Sequence, residues 1–98
     1  MSGSADVTLE IRNPSGLHAR PAATFVRAAS AFASEIVITN HDRDDRAASA
    51  KSILGVMGLG VSRGHRVTLR ATGDDAEAAI SALTTLIEEG IGEGTGAP

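Results

Sequence analysis

The sequence has 98 residues, of which 42% are hydrophobic and 21% are charged, and these proportions are typical of one soluble globular domain. A net charge of −3 and two aromatic residues argue against nucleic-acid binding, which needs a basic surface and stacking side chains. The lack of cysteine excludes disulfides and thiolate chemistry. Because we find no signal peptide and no apolar run of bilayer length, we expect a cytoplasmic protein without membrane insertion.

The first half of the chain predicts a strand, a helix and a second strand. Apolar and polar residues alternate over 7–11, as in a strand with one solvent-facing side. After the turn residues 13–16, apolar residues recur every three or four positions, which predicts an amphipathic helix. Its apolar positions are Ala22, Phe25, Val26, Ala29, Phe32 and Ala33. The β-branched run 36–39 predicts the next strand, and the polar run 40–45 predicts a turn.

The second half predicts a short helix, a strand and a long helix. Residues 53–57 are apolar and end at glycines, which favours a short helix. Alternation over 66–71 predicts the last strand. Asp74 and Glu77 have the spacing of a capping box at the start of the final helix, and Gly90 is expected to end that helix. The predicted buried positions of this helix are Ala76, Ala79, Ile80, Leu83, Leu86 and Ile87.

These elements predict a single domain over residues 1–90. One-faced strands and amphipathic helices favour an antiparallel sheet covered on one side, which is an α+β open-faced sandwich. We expect the polar residues 1–5 to be frayed and the glycine-rich residues 91–98 to form a disordered tail. A domain of this size buries a small core, so we expect a surface site and not an enclosed cavity.

The candidate site is the stretch 15–22, where a loop becomes a helix. Gly16 permits a sharp turn, and Pro21 suits a first helical turn because its missing N–H would be unbonded there. We therefore expect His18 at the helix start, where free N–H groups attract an anion. Arg20 adds a fixed charge whose planar fork suits phosphate oxygens. The pattern alone fits equally a solvated His–Arg pair and a phosphate site in which the imidazole is the nucleophile.

Two segments of the chain resemble the HPr family, the histidine-containing phosphocarriers of the bacterial phosphoenolpyruvate-dependent sugar phosphotransferase system. Residues 16–22, Gly-Leu-His-Ala-Arg-Pro-Ala, resemble the active-site signature of the family, and residues 51–60 resemble its regulatory-serine segment. The resemblance covers nearly the whole chain. It implies a four-stranded antiparallel sheet with two long helices and one short helix on one face, in the order βαββαβα. It is also the main reason to expect a strand over 46–50, where alanines replace β-branched residues.

The resemblance implies that His18 accepts a phosphoryl group on Nδ1 from enzyme I and passes it to a sugar-specific enzyme IIA domain. Main-chain N–H groups near Ala19 and Arg20 would bind phosphoryl oxygens, and the guanidinium would balance their charge. The protein would then be a carrier and not an enzyme, would need no cofactor, and would act as a monomer. Enteric members of the family carry threonine at position 19, and alanine is common in other branches.

Two other functions stay open from the sequence. A small phosphoryl-ester or acyl-phosphate hydrolase could use a similar loop and arginine, but it needs a water-positioning residue and none is evident beside His18. A non-sugar regulatory HPr paralogue is the second alternative, although such relatives tend to have lost the histidine. No metal site is expected, because His18, His41 and His65 lack ligand spacing, and the latter two are expected to be solvated.

Ser52 and the apolar segment after it each have two interpretations. Ser52 is either a plain helix N-cap or, by the resemblance, a serine controlled by a kinase and phosphorylase. Residues 53–57 are too apolar for one buried stripe on a short helix, so part of the segment is expected to face water. By the resemblance it would join the surface around His18 that docks on enzyme I and enzyme IIA; otherwise its large side chains are core. The predicted docking residues are Ala19, Ala23, Ile53, Leu54 and Met57.

Overall fold

The computed structural model describes residues 3–95 and contains four strands and three helices in this part of the chain. The elements are β1 (Gly3–Glu10), α1 (Ala19–Ser30), β2 (Glu35–Asn40), β3 (Arg46–Ser49), α2 (Ile53–Gly58), β4 (Arg66–Gly73) and α3 (Ala76–Glu88). The predicted order βαββαβα is confirmed. Residues 3–5, expected to be frayed, belong to β1, and residues 1–2 lie outside the described part. No helix within residues 3–95 has the length and apolar character needed to span a bilayer.

The four strands form one antiparallel sheet in the order β1-β4-β2-β3. In the centre, Leu69 of β4 pairs with Val7 of β1 on one side and with Ile38 of β2 on the other. Residues directly opposite each other point to the same face, so these three side chains form a row beneath the helices. The fold is the predicted open-faced α+β sandwich.

The core lies between one face of this sheet and the helices. Along β4, Val67, Leu69 and Ala71 are buried and alternate with polar residues that face outward. Phe25 of α1 and Leu83 of α3 are fully buried against this face. The opposite face of the sheet carries charged and hydroxyl side chains, which explains why the strands alternate so regularly.

Strand β3 exists although its own residues have weak strand propensity. Residues 46–49 pair in register with residues 37–40 of β2, and the small side chains lie at the sheet edge. Pairing with a strong neighbouring strand therefore overrides local propensity here. The family resemblance therefore predicted strand β3 correctly, whereas the local sequence pattern gave only a weak signal for it.

The predicted capping box at the start of α3 is wrong. The N-cap residue is Asp75 and not Asp74, and its side chain makes no capping bond. The Asp75 carboxylate instead accepts hydrogen bonds from the backbone N–H groups of Ala33 (2.8 Å) and Ser34 (2.9 Å), and from the Ser34 hydroxyl. This carboxylate ties the loop after α1 to the beginning of α3, so it is not available to cap its own helix.

Gly90 ends α3 as predicted, but the segment after it differs from the predicted disordered tail. The N–H of Gly90 donates to the carbonyl oxygen of Ile87 (3.0 Å), and the N–H of Ile91 donates to the carbonyl oxygen of Leu86 (3.0 Å). These are the two hydrogen bonds of a Schellman motif. The side chain of Ile91 is buried, and residues 91–95 pack on the domain through it and through Glu93. An apolar anchor after a helix-ending glycine therefore outweighs the glycine content here. Residues 96–98 of the predicted tail lie outside the described part.

The Asp75 contact predicts a specific loss of stability in acid. The hydrogen bond from Ser34, with those from Ala33 N–H and Ser34 N–H, lowers the pKa of Asp75. A lowered pKa in the folded state stabilises the protein above the unfolded-state pKa of about 4, and that stabilisation is lost as the pH falls through the folded-state pKa. Asp75→Asn should thus lower the Tm at pH 7, and the difference from the parent should shrink below about pH 4.

Asp74→Asn is the matched control, since Asp74 is the exposed neighbour. Thermal melts at several pH values measure both variants. Equal effects of the two substitutions, or a difference that persists undiminished at pH 2, would contradict this role of Asp75.

Candidate functional site

The loop before α1 is held by a close backbone approach to residues 61–62. Gly16 has φ +60°, and a Cβ at this position would lie 2.3 Å from the carbonyl oxygen of Val61. Its neighbour Leu17 donates its N–H to the same carbonyl at 3.0 Å and is fully buried. Glycine is therefore required here for both the left-handed conformation and the contact. This contact fixes the residue immediately before His18.

His18 is the N-cap residue of α1, as the sequence predicts. Its backbone is extended, with φ −122° and ψ 153°, and its side chain makes no capping hydrogen bond. The side chain is exposed, whereas Pro21 and Ala22 in the first helical turns are buried. These buried residues hold the start of α1 against the core, and the imidazole faces solvent at the helix N-terminus.

The residue after the histidine has a strained backbone. Ala19 has φ +49°, the left-handed conformation in which a Cβ crowds the following carbonyl and which costs roughly 1–2 kcal/mol. Ala19 is exposed and is the first residue of α1. The chain therefore turns sharply between Leu17 and Arg20, at the point where the N–H groups of the first helical turn have no partner within the helix.

Arg20 lies exposed on the first turn, next to the segment that follows α3. A shallow surface depression beside α1 is lined by Ser15, Ala19, Arg20, Pro21, Thr24, Ile91, Gly92 and Glu93. Hydrogen bonds from the Asn13 side chain and from Ser15 lower the pKa of Glu93, and the charge of Arg20 lowers it further. A cation and a carboxylate thus lie at one rim of the site, in a cleft too open to enclose a substrate.

The apolar residues of α2 are divided between core and surface. Val56 is fully buried, whereas Leu54 is 82% exposed and Ile53 and Met57 are each 39% exposed. The alternative that all three large candidates are core is therefore wrong. Helix α2 packs on α1, which carries Ala23, a half-buried member of the predicted docking set.

Ser52 is the N-cap of α2. Its Oγ accepts a hydrogen bond from the backbone N–H of Gly55 at 3.0 Å, and its carbonyl accepts from Val56 at 2.9 Å. The N-cap interpretation is confirmed. Ser52 is half-buried.

The other two histidines take part in hydrogen-bond networks away from α1. His41 contacts Asp45 through Nδ1 and the Thr68 hydroxyl through Nε2, both at 2.6 Å, on the open face of the sheet. His65 Nδ1 accepts from the backbone N–H of Ser62 at 3.1 Å, so this half-buried imidazole supports a turn and is not simply solvated. Within residues 3–95, no group of three or more potential ligand side chains is close enough to hold a metal ion.

Comparisons with known proteins agree on one family. The family model described as "PTS HPr component phosphorylation site" matches residues 5–89. Phosphocarrier protein HPr of Lysinibacillus sphaericus is 46% identical over 77 residues, which are 79% of this chain and 84% of that protein. The chain belongs to the HPr family. The crystal structure of HPr from Thermoanaerobacter tengcongensis has 54% identity and a TM-score of 0.85, and the alignment covers 91% of this chain and 97% of that one.

HPr domains also occur within larger relatives. The multiphosphoryl transfer protein of Vibrio cholerae is 46% identical over 87 residues, which are 89% of this chain but 22% of that protein. The chain thus spans about a fifth of the length of such relatives. The HPr family to which this chain belongs is a family of phosphocarriers of the phosphotransferase system.

The sequence did not predict that Glu93 contacts Asn13 and Ser15, although Ser15 belongs to the predicted stretch 15–22. Asn13 is fully buried, and both it and Ser15 donate hydrogen bonds to Glu93. Nothing local predicts a bond between residues 80 positions apart. The available signal was Ile91, since an apolar residue just after a helix-ending glycine commonly packs back on the helix.

Two opposite substitutions test the backbone of the site. Gly16→Ala should reduce the free energy of unfolding by at least about 2 kcal/mol, because it adds left-handed strain and a clash with Val61. Ala19→Gly relieves strain of similar origin at a small entropic cost, and should raise that free energy by up to about 1 kcal/mol. Denaturant unfolding measures both, and the same sign of change in the two variants would contradict the described turn.

Proposed function

We propose that His18 accepts a phosphoryl group from a phosphorylated histidine of enzyme I and passes it to an enzyme IIA domain. The observation that carries this proposal is the exposed imidazole at the start of α1, which no capping bond engages. The position lies within the part of the chain matched by a family model named for a phosphorylation site. An exposed nucleophile beside free N–H groups is what a carrier needs, because its partners must reach the imidazole and then leave.

Each transfer exchanges one P–N bond for another. The lone pair of His18 Nδ1 forms a bond to phosphorus while the P–N bond of the donor imidazole breaks, and the donor nitrogen keeps that electron pair. The second transfer repeats the step with His18 as the leaving group. We place the phosphoryl group on Nδ1 because members of the HPr family use that nitrogen. Such a reaction depends mainly on positioning and on charge stabilisation.

The role proposed for Arg20 is to balance charge on the phosphoryl oxygens. Its guanidinium is exposed on the first turn of α1, two residues after His18, and presents several N–H donors in one plane. Glu93 is the carboxylate at this rim that a hydrolase could use to activate water. Its oxygens already accept from Asn13 and Ser15, which supports a carrier over a hydrolase.

The covalent intermediate is tested by labelling. Incubated with phosphoenolpyruvate and enzyme I, the protein should gain one acid-labile, alkali-stable phosphoryl group, measured by intact mass. His18→Ala should abolish this gain, because no other side chain would be the acceptor. His41→Gln is the matched control and should be labelled at the parent rate, since His41 lies on the open face of the sheet. Labelling of the His18 variant, or release of inorganic phosphate by the parent, would refute the proposal.

We further propose that α2 forms part of the surface on which both partners dock, and that phosphorylation of Ser52 weakens that docking. Leu54 is largely exposed on a helix that packs against α1, and exposed apolar side chains of this size are typical of contact sites. A phosphate on Ser52 would place about two negative charges at the N-terminal end of this apolar surface. Docking of a partner surface that is itself acidic would then be weaker.

Three substitutions separate capping, charge and contact. Asp and Asn both cap helices well, so Ser52→Asp and Ser52→Asn should each keep the Tm close to that of the parent. Ser52→Asp should raise the apparent KM for phosphorylation by enzyme I, and the neutral Ser52→Asn should not. Leu54→Ser should raise the same KM without lowering the Tm, because the side chain is exposed. Unchanged KM values for both Ser52→Asp and Leu54→Ser would show that the docking surface lies elsewhere.

A further inference from the structure

The carboxylate of Glu93 lies across the loop that leads into α1. Its Oε1 accepts from the Nδ2 of Asn13 at 2.9 Å and from the backbone N–H of Ser15 at 3.0 Å. Its Oε2 accepts from the Ser15 hydroxyl at 2.8 Å. One side chain from the segment after α3 therefore bonds to both the beginning and the middle of the turn that precedes His18.

Asn13 transmits this contact to the backbone next to the histidine. Its Nδ2 also donates to the carbonyl oxygen of Gly16 at 2.8 Å, while its own carbonyl accepts from the Gly16 N–H at 3.2 Å. The side chain is fully buried, and its Oδ1 has no partner among the described residues. Burying the Asn13 amide while its Oδ1 has no hydrogen-bond partner costs free energy. The two hydrogen bonds from Nδ2, one to Gly16 and one to Glu93, offset that cost and hold the amide in this orientation.

The segment that carries Glu93 is itself tightly constrained. Ile91 has φ +49°, a conformation that β-branched residues rarely adopt, and its side chain is 2% exposed. A Cβ on Gly90 would lie 2.1 Å from the carbonyl oxygen of Gly94. Strain of this kind persists only where surrounding contacts impose it, and it is frequent where a group must be held in place. The buried isoleucine and the compact turn fix the point from which the carboxylate reaches the loop.

We propose that Glu93 is a positioning residue for the phosphoryl transfer at His18. By holding Asn13 and Ser15, it fixes the turn of residues 13–16, and with it the main chain that sets the direction of the imidazole. This inference rests on the proposed function of His18. Glu93 does not bind the phosphoryl group, because its charge has the same sign.

The charge of Glu93 offers a competing explanation for any effect of a substitution. The charge of Arg20 lowers the pKa of the Glu93 carboxylate, so the two groups interact. Removing the negative charge of Glu93 could therefore free the Arg20 guanidinium for the phosphoryl oxygens and speed the transfer. A positioning role predicts no such acceleration, and a slower transfer where the side chain no longer reaches the loop. Two variants separate the explanations: Glu93→Gln removes the charge and keeps the length, and Glu93→Asp keeps the charge and shortens the reach by one methylene.

The experiment measures the rate of His18 phosphorylation by enzyme I in both variants, in the full chain. We expect kcat to fall about tenfold in Glu93→Asp with little change in KM, because misplacing the reacting group lowers the fraction of productive encounters. Glu93→Gln should stay near the parent kcat, because its amide oxygen can accept from Asn13 Nδ2 and Ser15 N–H and its amide nitrogen can donate to the Ser15 hydroxyl. Glu89→Gln, an exposed carboxylate just before Gly90, is the matched control and should keep the parent rate. Amide exchange of Ser15, followed by NMR without any partner, should become faster in Glu93→Asp and not in Glu93→Gln or Glu89→Gln.

The outcomes distinguish this inference from the function it rests on. If the parent protein is not phosphorylated at His18, the proposed function fails, and faster Ser15 exchange would show only that the contact exists. If the parent is phosphorylated and Glu93→Asp keeps its kcat, the positioning role is refuted. A faster reaction of Glu93→Gln alone would likewise refute it and would assign the effect to charge.

Discussion

The geometry of the site depends on the contact between Gly16 and the backbone at Val61. A side chain at position 16 would lie 2.3 Å from the Val61 carbonyl oxygen, and that oxygen also accepts the N–H of Leu17 at 3.0 Å. Burial of the leucine side chain adds roughly 1.5–3 kcal/mol to this anchor. The residue before His18 is thus fixed to the hydrophobic core, although the histidine itself is exposed. The proposed nucleophile at the surface thus follows directly after a residue that is fixed in the core.

This arrangement separates the two tasks of a small carrier. Stability comes from the row of apolar side chains between sheet and helices and from polar contacts such as that of Asp75 with the loop after α1. The chemistry that we propose involves a few exposed groups at the start of α1, where His18 and Arg20 lie outside the core. The proposed partners could therefore reach the imidazole directly. The exposed side chain of Leu54 on α2 is compatible with the proposed docking, because this apolar surface is not buried in the core.

Periodicity predicted the two long helices and the strands β1 and β4, because a solvent-facing side and a buried side leave a clear pattern in sequences such as 66–71. Strand β2 was predicted from a β-branched run, and α2 from an apolar run that ends at glycines. The strand β3 needed the family resemblance, since its pairing with β2 is a tertiary effect. Asp74 was wrongly predicted to cap α3 because its spacing to Glu77 satisfies a local rule, whereas the N-cap residue Asp75 makes a contact that spans more than 40 residues. At the site, the motif of residues 16–22 predicted the positions of His18 and Arg20. The hydrogen bonds of Glu93 to the loop could not be predicted, because they join positions that are far apart in the sequence and that no local pattern connects.

NMR of the phosphorylated protein tests most directly whether the phosphoryl group is carried on Nδ1 of His18, as we propose. With ¹⁵N-labelled histidine, the ³¹P signal should couple to Nδ1 of one imidazole, assigned to His18. The backbone amides of Ala19 and Arg20 and the Arg20 guanidinium should show the largest changes on phosphorylation, because they are the groups proposed to face the phosphoryl oxygens. Coupling to a nitrogen of His41 or His65, or undisturbed signals at residues 19–20, would contradict the account.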